Sequence, residues 1–312
     1  MDNLTHTLVG VTLGRAGLAR RTPLGMAALM IGANLPDLDV LGIPFGQNLG
    51  FRRGITHGLP ALLVWPFILT AGLLAWDRWR ARGGHPPVRP VPRELILLSV
   101  VGIWSHPLLD WFNSYGMRWL MPLRGTWYYG DTWFIVDPWV LVALGAGVWL
   151  SRRIPGAPPR EGPARAALAL VGAYAVAMWA GSQAGEQRVR RELASLGFAE
   201  PAAVMVTPVA LDPLRRLVVV DDGESYWRGS LSPGRPLQLQ AAGPIPKGLA
   251  GLDLERLRRS SAARQFLGWS RFPFARVATS GDTVVVTLDD ARYTDGRAGS
   301  FARAVVRLPP RR

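Results

Sequence analysis

Three of the four histidines stand beside carboxylates or at the mouth of an apolar segment, in short motifs whose residue types could bind a metal ion. His106 and Asp110 are four residues apart in H-P-L-L-D, so on a helix both side chains lie on one face and can reach one ion. His57 ends the motif R-R-G-I-T-H, and Asp37 and Asp39 form the D-L-D of N-L-P-D-L-D. Mixed nitrogen and oxygen ligands suit Zn²⁺, Mn²⁺ or Fe²⁺, and Zn²⁺ is the divalent ion that we expect.

His6 adds a further candidate near the start of the chain, whereas His85 lies in a loop without a carboxylate motif and is interpreted as solvated. Six candidates are more than one tetrahedral zinc requires, so one or two ions are both compatible with the sequence. The alternative is that these groups form ion pairs with one another, or with Arg52 and Arg53, inside a helical bundle. The candidate metal ligands are His6, Asp37, Asp39, His57, His106 and Asp110.

About six apolar segments predict that an α-helical membrane bundle positions these side chains. The first segment lacks the basic region that precedes the apolar part of a signal peptide, so we expect a helix that is retained. The second segment ends at the D-L-D motif, and an antiparallel hairpin of the first two helices brings His6 and Asp37 to a similar level. The segments are residues 4–19, 24–41, 59–76, 94–112, 133–150 and 164–181.

Arginines divide unevenly between the two sets of alternating loops. Loops 20–21, 77–93 and 151–165 hold eleven arginines, and the opposite loops hold four. By the positive-inside rule the first set is cytoplasmic, which predicts a multi-pass protein of the bacterial inner membrane. All candidate ligands, and also Asp131 and Asp137, then lie at the extracytoplasmic end of the bundle. Asp137 precedes Pro138 and has a second interpretation as a helix cap.

From about residue 183 the pattern changes to short runs that are typical of strands, with one helix inside residues 252–269. We therefore predict two domains: a membrane-embedded domain at residues 1–182 and a small, soluble α+β domain at residues 183–312 on the extracytoplasmic side. The predicted strands are residues 203–209, 216–221, 225–231, 283–288 and 302–308.

The composition argues against nucleic-acid binding. The chain has a net charge of +14, and Lys247 is its only lysine. The basic residues are spread evenly over both halves, whereas a nucleic-acid site concentrates them on one face. The chain has no cysteine, which excludes disulfides and thiolate ligands.

Five motifs in combination resemble the YdjM-like, inner-membrane-associated, metal-dependent hydrolase family. They are N-L-T-H-T-L-V-G, N-L-P-D-L-D, R-R-G-I-T-H, H-P-L-L-D and Y-G-D-T-W-F-I-V-D-P-W, within residues 1–182. The chain is more distantly similar to the His-x-x-x-Asp helices of zinc-dependent phospholipase C and P1 nuclease. The resemblance implies metal-dependent hydrolysis, with the six candidate ligands at the family's ligand positions. Gly58 departs from the family, because many members have serine there.

The predicted function is hydrolysis of an ester or phosphoester of a membrane lipid or lipid-linked substrate by metal-activated water. Asp39 or Asp131 could serve as general base, and Arg52 or Arg53 could hold a phosphate. One alternative is a non-enzymatic membrane protein with a structural metal. Another is an ion- or proton-handling transporter, for which ionisable groups are expected along the membrane midplane.

Overall fold

Helices dominate the first part of the chain and antiparallel strands the last part in the computed structural model. It describes residues 1–45, 48–152, 160–280, 283–294 and 302–308, so Arg153 of the arginine count lies outside the described residues. The first of two units comprises Met1–Leu41 and Arg53–Ala180, and the second comprises Gly42–Arg52 and Gly181–Arg312. The α-helices are α1 (Asn3–Arg15), α2 (Gly25–Gly32), α3 (Asn48–Phe51), α4 (Leu59–Arg82), α5 (Pro92–Trp111), α6 (Pro138–Leu150), α7 (Gly162–Ser195), α8 (Leu254–Arg258) and α9 (Ser261–Trp269).

Three helical segments in the described part of the chain are long and apolar enough to cross a membrane. They are Gly25–Phe45, Leu59–Arg82 and Gly162–Ser195. The six predicted spans are therefore confirmed only as a helical region with three candidate spans. At 13 residues each, α1 and α6 are about 20 Å long, which is short of a 30 Å hydrocarbon core.

The second predicted helix is shorter than expected. Helix α2 ends at Gly32, and a 3₁₀ segment at Leu35–Phe45 follows it. Pro36 explains the break, because it lacks an N–H group and disfavours helical backbone at the preceding residue. The break leaves the Ala33 carbonyl at the helix end and places Asp37 and Asp39 on the 3₁₀ segment.

Two glycines allow α1 and α5 to approach α2 closely. A Cβ atom at Gly10 or at Gly102 would lie 2.8 Å from the Leu29 carbonyl oxygen. Small residues permit such close backbone contact between apolar helices. Gly10 is four residues after His6, and Gly102 is four before His106, so each glycine shares a helix face with a histidine. The close contacts therefore bring these two histidines together.

The second unit contains two antiparallel sheets within its described residues. In the larger sheet the strands pair in the order β1-β2-β3-β4, and β5 also pairs with β3. The smaller sheet has the order β6-β7-β8. Strands β1 to β5 are Ala203–Pro208, Arg216–Asp221, Ser225–Leu231, Gln238–Leu239 and Ile245–Pro246, and β6 to β8 are Pro273–Ser280, Thr283–Asp290 and Arg303–Leu308.

Successive side chains of β1 fill two separate cores, because neighbouring residues of a strand point to opposite faces. Val204 and Val206 pack with Val189 of α7, and Met205 packs with Phe272. The five predicted strands are all present. Strand β6 and the short β4 and β5 were not predicted, and the predicted helix at residues 252–269 is divided into α8 and α9.

Candidate metal centre

Four buried side chains of the first unit form a group that could hold a metal ion. They are Asp37, His57, His106 and Asp110, and one ligand atom from each lies within 4.8 Å of all the others. Their exposed fractions are between 0 and 5 %. The chain positions that supply them are up to 73 residues apart, so only the folded bundle assembles the group.

Helix α5 supplies two of the four ligands from one face. His106 and Asp110 are four residues apart, and His106 Nε2 lies 3.5 Å from Asp110 Oδ2. On the other side of the ring, His106 Nδ1 lies 2.7 Å from the Ala33 carbonyl oxygen at the end of α2. A carbonyl oxygen only accepts hydrogen bonds, so Nδ1 must carry the proton. Nε2 then presents its lone pair to the group.

His57 is oriented in the same way by a carboxylate. Its Nδ1 lies 3.3 Å from Asp39 Oδ2 and 3.0 Å from Thr56 Oγ1. The carboxylate favours a proton on Nδ1, as in the carboxylate–histidine pairs that surround metal sites. Asp39, predicted as a ligand or general base, therefore lies behind His57 and is not one of the four grouped residues.

The two imidazoles face each other through nitrogens that both have lone pairs. His57 Nε2 lies 3.1 Å from His106 Nε2. When each Nδ1 is the protonated atom, neither Nε2 can donate, and two acceptors at this distance repel. Asp110 Oδ2 lies 3.5 Å from His57 Nε2, and Asp37 Oδ1 lies 3.7 Å from His106 Nε2. A cation among these atoms would turn the repulsion into attraction, so the donor set fits a divalent metal.

His6 lies next to the group without being one of its four members. Its ring stacks on His106 with centroids 3.7 Å apart, and its Nε2 lies 3.4 Å from Asp110 Oδ1. Neither ring nitrogen makes a hydrogen bond within the described residues, although the side chain is fully buried. The Met1 amino group also contacts Asp110 Oδ1. His6 is thus a candidate for a second ion or for proton transfer.

Arg53 contacts several residues of the site through its backbone and its guanidinium. It has a left-handed backbone conformation with φ of 49°, which is uncommon for a residue with a side chain. Its backbone N–H donates to Asp39 Oδ2 at 2.6 Å, and its guanidinium lies 2.9 Å from Asp110 Oδ1. The same guanidinium donates to Asn113 Oδ1 and to the Gly116 carbonyl oxygen. These contacts fit a positioning role better than the predicted phosphate-binding role.

Arg118 is a second buried arginine, and it was not predicted as a site residue. Its backbone N–H donates to the Arg53 carbonyl oxygen, and its guanidinium lies 4.8 Å from the centre of the Trp127 ring. Burial lowers the pKa of Arg118 below its ordinary value, and the charges of Tyr115 and Asp39 oppose that shift. In the sequence it was one loop arginine among four, and no motif distinguished it.

The remaining predicted positions lie outside the group of four candidate ligands. Asp131 is half-buried in a loop with φ of 47° and is not among the grouped residues. Asp137 caps α6, because its Oδ1 accepts from the backbone N–H groups of Trp139 and Val140. Tyr174 donates a further hydrogen bond to Asp137. His85 is exposed in the loop between α4 and α5, as predicted.

The structure explains why a side chain is not accommodated at Gly58. A Cβ atom there would overlap the Met121 carbonyl oxygen. The adjacent Leu59 N–H donates to the Trp119 carbonyl oxygen at 2.9 Å, which holds the two backbones together. A serine at this position would require these backbones to separate.

Comparison with known proteins identifies the family of this chain. Residues 1–184, more than half of the chain, match the YdjM inner membrane protein family. The chain belongs to this family. The matched region contains all six predicted ligands and both buried arginines of the site. It also contains two candidate spans and most of the third, so the chain is associated with the inner membrane.

A relative that matches most of the chain is the uncharacterized protein YfhP of Bacillus subtilis (strain 168). It is 23% identical over 308 residues, which cover 94% of this chain and 87% of YfhP. The similarity therefore extends through the second unit as well as the family region. No solved structure matches the chain.

Proposed function

We propose that this chain is an integral-membrane, metal-dependent hydrolase of an ester or phosphoester in a lipid or lipid-linked substrate. The observation that carries the proposal is the pair of Nε2 atoms, 3.1 Å apart, of His57 and His106. With the proton on each Nδ1, both nitrogens are acceptors, and a cation site requires such convergent lone pairs.

The four grouped residues would hold the ion through two imidazole nitrogens and two carboxylate oxygens. This donor set suits Zn²⁺ and is compatible with Mn²⁺ or Fe²⁺. Such an ion supplies a Lewis acid for the ester oxygen and a water of lowered pKa. Asp39 keeps His57 in the tautomer that exposes Nε2, and Arg53 fixes the Asp110 carboxylate.

Two further residues take roles that follow from their chemistry. Arg118 provides a buried positive charge coupled to Asp39, and we assign it the anionic group of the substrate. Asp131 is half-buried and outside the group of four, and we assign it the role of general base. Both assignments keep Arg53 in its positioning role.

A structural metal site is the second candidate function, and one observation favours it. All four grouped side chains are at most 5 % exposed, and structural zinc sites are closed whereas catalytic sites keep an open position. Hydrolysis then requires local opening of the site to admit substrate. Metal binding without turnover in the wild-type protein would favour this alternative.

The test uses the purified full chain, assayed for bound metal and for hydrolysis of bis(para-nitrophenyl) phosphate. We expect the double variant His57→Ala, His106→Ala to lose the metal and at least a hundredfold in kcat/KM, because two ligands are removed. His85→Ala is the matched control, since this exposed histidine lies in a loop and should leave both quantities unchanged. Turnover retained in the double variant would refute the proposed role of the group.

We also propose that the site and the second unit face the extracytoplasmic side. The support is the excess of arginine in the loops that carry residues 20–21, 77–93 and 151–165. Reporter fusions at Gly83 and Arg312 test the orientation: Gly83 should report a cytoplasmic position and Arg312 an extracytoplasmic one. A cytoplasmic Arg312 would overturn it.

A further inference from the structure

An apolar groove lies between α2 and α4 in the first unit. Its volume is about 480 Å³, within the range of pockets that hold small ligands. Leu69 and Leu73 are buried, whereas Ile31, Ile68 and Trp76 are each at least 43% exposed. The groove is thus a depression with a closed floor and an open side. Its lining residues are Leu24, Ala27, Ile31, Leu35, Ile68, Leu69, Gly72, Leu73 and Trp76.

Both walls of this groove belong to candidate membrane spans. One wall comes from Gly25–Phe45 and its flanking Leu24, and the other from Leu59–Arg82. In a bilayer that these spans cross, the open side faces hydrocarbon rather than water, and the lining includes no charged side chain. A molecule that fits such a surface is a hydrocarbon chain, because it makes dispersion contacts and demands no hydrogen bonds.

Leu35 connects the groove to the segment that carries Asp37. This residue lines the groove and stands two positions before Asp37 at the start of the 3₁₀ segment. The Asp37 N–H donates to the Asn34 carbonyl oxygen, so the backbone turns tightly between the apolar lining and the ligand. A molecule seated along the groove therefore has one end at the segment that carries Asp37.

We propose that this groove holds one hydrocarbon chain of the lipid substrate and so places its ester group at Asp37, His57, His106 and Asp110. The proposal rests on the hydrolase function proposed above and specifies its substrate as a long-chain lipid ester. Membrane lipid in general contacts the whole apolar surface, whereas a substrate chain occupies this one depression.

Gly72 offers a way to fill the groove without disturbing the helix packing. It lines the groove, and a Cβ atom there would meet no heavy atom within 4 Å. Gly172 of α7 has the same open surroundings but does not line the groove. Gly72→Leu and Gly172→Leu therefore make the same change in chemistry and helix propensity at two exposed positions. Gly72→Ala fills less of the groove and gives a graded comparison.

The test compares two diesters with the same leaving group, methyl para-nitrophenyl phosphate and its long-chain alkyl analogue. We expect the wild-type protein to prefer the long-chain probe, and Gly72→Leu to lower kcat/KM for that probe about tenfold with no change for the methyl probe. Gly72→Ala should have a smaller effect and Gly172→Leu none. Equal behaviour of Gly72→Leu and Gly172→Leu would overturn the groove assignment.

A binding measurement separates this proposal from the hydrolase proposal. A long-chain alkyl phosphate carrying a diazirine should label Ile68 and Trp76 in wild-type protein, and unlabelled alkyl phosphate should compete. Labelling of Leu63 and Phe67, which are exposed on α4 outside the groove, should not be competed. Saturable labelling without turnover of either diester would refute the hydrolase and keep the groove. Turnover without saturable labelling would refute the groove and keep the hydrolase.

Discussion

Both units bury ionisable side chains, and the two sets differ in whether each hydrogen-bond acceptor faces a donor. In the second unit, Asp290 and Arg292 have side chains that are 0% and 1% exposed. Asp290 accepts from the Arg292 backbone and guanidinium and from the Ser270 hydroxyl, so donors and acceptors match. In the first unit, His57 and His106 place two acceptor nitrogens 3.1 Å apart.

The difference is between a buried ion pair that is compensated within the fold and a buried group that could hold a cation. Burying an ionised group is costly unless a partner compensates it, and the Asp290–Arg292 pair supplies its own compensation. A cation bound between the facing imidazoles of the first unit would supply such compensation there.

The largest expected effect is on stability in the second unit. Asp290→Ala leaves the Arg292 guanidinium buried without its carboxylate, which should cost about 3–5 kcal/mol. Hydrogen exchange of strands β6 and β7 in the full chain measures this loss, and metal content should not change. Asp289→Ala is the matched control from the same strand.

Asp289 pairs with Arg276 and Arg303, whose side chains are 61% and 54% exposed. The Asp289 side chain is 9% exposed, but both arginines can be solvated once the carboxylate is removed, so the loss of stability should be smaller than in Asp290→Ala. A similar loss of stability in both variants would show that burial does not increase the contribution of the Asp290–Arg292 pair. It would also remove the contrast with the first unit.

Chelation should affect the first unit alone. At a free metal concentration of 100 times Kd, bound metal stabilises the folded state by about 2.7 kcal/mol. A chelator should therefore speed hydrogen exchange of residues 33–39 and 103–110 by about a hundredfold and leave β6–β8 unchanged. The double variant His57→Ala, His106→Ala should show no response. Equal responses in both proteins would mean that the metal binds elsewhere.

A more moderate effect is expected from the carboxylate behind His57. Asp39→Asn should weaken metal affinity by about 10–100-fold, because it removes the acceptor that fixes the His57 tautomer. Asp131→Asn should leave affinity unchanged and lower turnover, as expected for a general base. Isothermal titration calorimetry with Zn²⁺ measures the metal affinity. Complete loss of binding in Asp39→Asn would instead make Asp39 a direct ligand.

Local sequence patterns predicted the elements of both units better than the exact geometry of the site. The spacing of His106 and Asp110 was sufficient to place them on one helix face, and alternation was sufficient for strands such as β2. The roles of Asp39 and Arg53 were not predictable, because they depend on which atoms lie behind His57 and Asp110.

Long-range packing explains the other differences. The contact of Gly10 and Gly102 with Leu29 determines how His6 stacks on His106, and a single sequence gives no measure of that approach. Arg118 is buried, and its guanidinium lies over Trp127 of the same loop. Such features arise between segments rather than within one, so motif spacing could not reveal them.

The smallest predicted effect is a pH dependence that belongs to the second unit. Burial disfavours the charged Asp290 carboxylate, but the Arg292 guanidinium and the surrounding donors outweigh it and hold the pKa of Asp290 below its ordinary value. A folded-state pKa below the unfolded value stabilises the fold above about pH 4, and that stability is lost as the pH falls through the folded value.

One such proton changes the free energy of unfolding by at most about 1.4 kcal/mol per pH unit. Below pH 4, the wild-type protein should therefore lose hydrogen-exchange protection of β6 and β7 more steeply than Asp290→Ala does. The protection of each protein is compared with its own value at neutral pH. Because the other acidic groups titrate in both proteins, the difference between the two slopes isolates Asp290. Parallel slopes would mean that contact with Arg292 does not lower the pKa of the Asp290 carboxylate on folding. The matched donors and acceptors of this pair would then not distinguish it from the facing imidazoles.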